Sequence, residues 1–94
     1  MELNVILDSV GDEILVSAGL DLTAILPLKI ALRPERGEAK IVDAILGTTD
    51  RNGLLANQYV TYTIEAGVID KIGRWQHQLN YGLQKLNWVN FNVT

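Results

Sequence analysis

Gly73-Arg74-Trp75-Gln76-His77-Gln78-Leu79-Asn80-Tyr81 alternates without a break. Trp75, His77, Leu79 and Tyr81 fall on one side of an extended chain, and Arg74, Gln76, Gln78 and Asn80 on the other. That period of two is the pattern of a strand with one buried face. It continues outward in both directions. Upstream, Val60, Tyr62 and Ile64 alternate with Thr61 and Thr63, and both sets are good β-formers. Downstream, Tyr81-Gly82-Leu83-Gln84 reads as a turn and residues 84–93 as a closing strand. The closing strand changes phase midway, because Leu86 and Trp88 share one parity while Val89, Phe91 and Val93 share the other. A β-bulge produces such a one-residue shift, and bulges favour edge strands.

The first half is less regular. Residues 3–7 and 13–17 read as short strands around a turn that begins at Asp8. Residues 21–24 read as a short extended piece ahead of Pro27, which cannot donate to a central ladder. Leu28, Ile30 and Leu32 point inward on a strand that leads into the turn Arg33-Pro34-Glu35-Arg36-Gly37. In residues 39–46, Ile41, Val42, Ile45 and Leu46 have helical spacing, but the run is short and β-branched and is expected to form one strand. Asp50-Arg51-Asn52-Gly53 marks a further turn. About seven short strands, with a turn signal roughly every 8–12 residues, predict an all-β fold: an antiparallel immunoglobulin-like β-sandwich. A length of 94 residues is enough for a single domain, residues 1–94.

Composition narrows the function. Eight basic against eleven acidic residues leave a net charge of −3, which argues against nucleic acid as the main partner. The absence of cysteine removes disulfides, zinc–thiolate sites and thiol nucleophiles together and fits a reducing compartment. No apolar run is long enough to span a membrane, and Met1-Glu2-Leu3-Asn4 does not open a secretory signal, so no membrane partner is expected. His77 is the one histidine, and its apolar parity predicts a buried neutral imidazole with its hydrogen bonds satisfied. Ser9 and Ser17 lie in no nucleophile motif. No catalytic residue, metal site or cofactor is expected.

Two surfaces stand out as candidate contacts. The first is acidic: up to Leu28 there are five carboxylates (Glu2, Asp8, Asp12, Glu13 and Asp21) and no lysine or arginine. From Lys29 onward eight basic residues face six acidic ones, so neighbouring copies could meet acidic end to basic side. The second is uncharged, with ten asparagines and glutamines between Asn52 and Asn92. Gln76, Gln78 and Asn80 share one strand face and Asn90 lies on the next strand. Amides desolvate cheaply and form directional hydrogen bonds, which suits a protein or sugar contact. The candidate interaction residues are therefore Glu2, Asp8, Asp12, Glu13, Gln76, Gln78, Asn80 and Asn90.

A family order is also present. It runs Asp21-Leu22-Thr23-Ala24, the strand ending at Arg33-Pro34-Glu35-Arg36-Gly37, then Asn52-Gly53, Tyr59-Val60-Thr61-Tyr62-Thr63-Ile64, Ile72-Gly73-Arg74-Trp75-Gln76-His77 and a final Phe91-Asn92-Val93. This order resembles the N-terminal immunoglobulin-like domain of phage baseplate upper proteins and related small virion modules. Gly73-x-Trp75 is also similar to the Gly-x-Tyr-x-Cys strand of immunoglobulin domains, with His77 where the cysteine would stand. The resemblance covers about three quarters of the chain and has no counterpart for residues 1–20. It implies a non-enzymatic structural protein of the virion, either a capsid decoration (cement) protein or a tail or baseplate module, assembled in the host cytoplasm. Its partners would be other virion proteins, with the chain present in multiple copies or as a homo-oligomer. The alternative is a carbohydrate-binding or adhesion module using Trp75, Trp88 and the amide face.

Overall fold

Period-two runs of β-branched and aromatic residues build nine strands: β1 (Asn4–Val5), β2 (Glu13–Ser17), β3 (Leu28–Pro34), β4 (Lys40–Asp43), β5 (Ile45–Leu46), β6 (Tyr59–Thr63), β7 (Gly73–Tyr81), β8 (Gln84–Lys85) and β9 (Val89–Val93). The structure is a computed structural model and describes residues 4–94. The large sheet runs β1-β9-β7-β3-β4, with β8 beside β7, and the small sheet runs β2-β6-β5. These orders match the C′, C, F and G strands and the B, E and D strands of an immunoglobulin-like sandwich. Among the described residues all strand pairings are antiparallel except that of β1 with β9, which is parallel, Asn4 opposite Asn92 and Val5 opposite Val93.

The inner faces meet as the alternation predicts. Leu28, Ile30 and Leu32 of β3, Trp75 and Leu79 of β7, and Phe91 and Val93 of β9 face Ile14, Val16, Val60 and Tyr62 of the small sheet, all buried. Trp75 is 1% exposed. Its indole Nε1–H donates to the carbonyl of Lys71 at 3.0 Å. In immunoglobulin domains a tyrosine at this point of strand F ties the preceding corner to the sheet. Here a tryptophan does so, two residues before His77. Lys40 holds the same corner, donating to the carbonyls of Gly67 (3.0 Å) and Val68 (2.7 Å) and pairing with Asp70 at 3.1 Å. The Lys40 hydrogen bond draws the Asp70 carboxyl below its ordinary range.

Four local expectations are corrected. Residues 39–46 do not form one strand: β4 belongs to the large sheet and β5 to the small one, with Ala44 between them. The helical-looking spacing of Ile41, Val42, Ile45 and Leu46 records that change of sheet. Residues 21–24 turn rather than extend, with Ala24 at φ 64° and Leu22 fully buried. Pro34 does not lie in the hairpin turn but ends β3, buried and opposite Trp75. Residues 84–93 divide into β8 and β9 around a bulge. Leu86 N–H bonds to Leu79 O at 3.0 Å while His77 lies opposite Val89, so two residues of β7 are matched by three of the closing segment. The expected phase change is thus a bulge. It lets Leu86 pack against the core although Phe91 and Val93, of the opposite parity, are buried there too.

The outer faces of the two sheets are unlike. Residues 47–58 fold back over the small sheet, where Arg51 pairs with Glu13 of β2. Tyr59 points outward from β6, yet it is 2% exposed because its ring lies against Gly47 and its hydroxyl donates to Thr49 O at 2.7 Å. The outer face of the large sheet carries Arg33, Arg74, Gln76, Gln78 and Asn90, and no loop of comparable length crosses it among the described residues.

Candidate functional site

That outer face holds a cluster of connected side chains around Arg33. Leu28, Ile30 and Leu32 point inward from β3, so Arg33 points outward. The bulge before β9 leaves Trp88 outward as well, and the Arg33 guanidinium stacks 3.9 Å from the centre of its ring. Contacts of this type stabilise by about 0.5–1 kcal/mol at exposed sites. The guanidinium also donates to Gln76 Oε1, and Gln76 Nε2–H donates to Asn90 Oδ1 at 3.1 Å. One arginine, one indole and two amides on β3, β7 and β9 are thereby held in fixed orientations. The sequence pointed to the two amides, offered Trp88 only as part of a sugar platform, and left Arg33 out of the candidate contacts. Arg33 was legible from parity alone, but Trp88 required the exact position of the bulge.

The other predicted residues lie elsewhere or do other work. Gln78 donates to Leu86 O at 2.9 Å and so braces the bulge. Asn80 is half-buried, and its Oδ1 finds no hydrogen-bond partner among the described residues. The carboxylates are not part of this face. Asp12 accepts a hydrogen bond from Ser9 in the turn after β1, and Asp8 occupies a left-handed position at φ 59° in the same turn. Glu13 is paired with Arg51 of the same chain. Glu2 lies outside the described residues. Among the described residues no group of three or more histidine, aspartate or glutamate side chains could hold a metal ion. No helix among them is long and apolar enough to cross a membrane.

His77 is buried at 8% exposure with its ring 5.8 Å from that of Phe91. The expectation that its hydrogen bonds are satisfied is corrected: Nδ1 is buried and finds no partner among the described residues. Burial pushes its pKa below the ordinary 6.5. The unfolded chain therefore binds a proton first, and stability falls as pH drops below about 6.5 until the folded pKa is passed. Thermal midpoints measured down through that window should decline, and an NMR titration should place His77 below 6.5. A normal or raised value would show that the imidazole meets water or a partner.

No protein-family model, curated protein or solved structure matches this chain.

Proposed function

We propose that the chain is a non-enzymatic structural module of a phage particle, a capsid decoration or a tail or baseplate component, which docks on other virion proteins through the outer face of its large sheet. The observation that carries this reading is the unlike treatment of the two outer faces. On the small sheet Tyr59 is buried beneath residues 47–58 and Glu13 is taken up by Arg51, whereas the large sheet presents Arg33, Trp88, Gln76 and Asn90 in fixed orientations. Arginine and tryptophan are the residue types that most often dominate binding energy at protein contacts. Side chains already ordered by their neighbours lose less entropy on docking.

Catalysis has little support. His77 faces the core, and Ser9 is hydrogen-bonded to an aspartate with no histidine beside it. The carbohydrate-binding alternative is also weaker, because sugar platforms need a free aromatic face. Trp75 is internal, and Arg33 covers one side of Trp88.

The test is incorporation into particles assembled in the host. Asn90 is exposed, so Asn90→Lys leaves folding intact and adds a further cation to a face that already carries Arg33 and Arg74. Incorporation should fall about tenfold or more, the equivalent of 1.4 kcal/mol. Wild-type levels of the variant would remove this face from the contact. A wild-type chain absent from purified particles would defeat the virion reading.

A further inference from the structure

Two open depressions flank Pro27 at the end of the sandwich where the β2–β3 segment and the β7–β8 turn meet. The first, of about 420 Å³, opens where the chain crosses at Ala44 from one sheet to the other. Leu22, Ile25, Leu26, Leu28, Ala44 and Leu46 wall it, and Asp43 is the one charged residue on its lining. The second shares Pro27 and is bounded by Gly82, Leu83 and Lys85. Gly82 N–H bonds to Pro27 O at 2.9 Å, which fixes the β7–β8 turn beside the first cleft. At the tip of that turn Leu83 is 100% exposed, and Leu26 on the cleft rim is 79% exposed.

An apolar knob held next to an apolar hole is self-complementary. A two-fold axis passing between them seats each knob in the other copy's hole. We propose that the chain forms such a dimer, Leu83 of each copy filling the cleft of the other. The charges agree. Lys85 is exposed on the knob side, and Asp43, whose side chain is 86% exposed although it pairs with Lys29, stands at the hole. The same two-fold brings each Lys85 toward the partner's Asp43, so the rim is attractive on both sides. This inference is independent of the virion reading and leaves the Arg33–Trp88 face of both copies free.

Sedimentation of the full chain over a range of concentrations tests it. The wild type should dimerise, and Leu83→Glu should weaken association about 100-fold or more, because two buried leucines are lost per dimer. The Leu83 side chain touches solvent on all sides, so the thermal midpoint of the dilute variant should match that of dilute wild type. Lys85→Asp should weaken the dimer, and adding Asp43→Lys should restore it. A wild-type chain that stays monomeric up to millimolar concentration would overturn the proposal. So would a dimer indifferent to Leu83→Glu, which would place the interface on another surface.

Discussion

Trp75→Ala should destabilise the chain by about 3–5 kcal/mol, the usual cost of deleting a fully buried large aromatic. Domains of this size are stable by only about 5–15 kcal/mol, so the loss would consume a large share of the total. The thermal midpoint should drop by roughly 15 °C or more. Two separate contributions underlie the number. The indole fills the space between the sheets against Phe91, with ring centres 6.0 Å apart, and its Nε1–H ties down the corner at Lys71. Trp75→Phe separates them, since it keeps most of the apolar volume and loses the hydrogen bond, and it should cost markedly less than alanine. An unchanged midpoint in Trp75→Ala would mean that the inner face of β7 has been assigned wrongly.

The second large effect is expected from a change of one methyl group. A Cβ at Gly47 would overlap the ring of Tyr59. Gly47 does not have a positive φ, so alanine suits its backbone. On that ground alone Gly47→Ala would stabilise by about 0.4–1 kcal/mol through the unfolded chain. The clash reverses the sign. Displacing the Tyr59 ring should cost about 3 kcal/mol and loosen residues 47–58 from the small sheet. A double-mutant cycle is decisive here. In a Tyr59→Ala background the Gly47→Ala penalty should vanish, because the two residues are in contact and their effects cannot add. A penalty that persists would assign the requirement for glycine to the backbone instead of to the ring.

The sequence was most readable where one parity is dry and the other wet. β7 shows this best: Trp75 and Leu79 are buried while Gln76 and Gln78 are half-buried on the opposite face. The same logic located Tyr62 and Ile64 in the core and put Gln76 and Asn90 on one surface. Legibility failed where long-range geometry overrides local pattern. Nothing within residues 39–46 says that the chain leaves one sheet for the other at Ala44, because the change depends on β3 and β6, which recruit the two halves. Tyr59 has outward parity and is nevertheless buried, since a distant loop covers it. His77 was correctly placed inside, but its unpartnered Nδ1 depends on neighbours from other strands. Trp88 is the most instructive case, named as a sugar platform but found stacked on Arg33. Its direction turns on a single extra residue, and a shift of one position exchanges the two faces of a strand.

The parallel pairing of β1 with β9 also determines how the molecule carries load. The first described strand and the last lie side by side and point the same way. They are joined by Leu7 N–H to Thr94 O at 2.8 Å and Thr94 N–H to Val5 O at 2.9 Å. Tension applied between Asn4 and Thr94 therefore slides one strand along the other. The bonds between them are strained in shear, all at once, and do not open singly like a zipper. A chain anchored through both of these strands would resist pulling with its hydrogen bonds acting as a group.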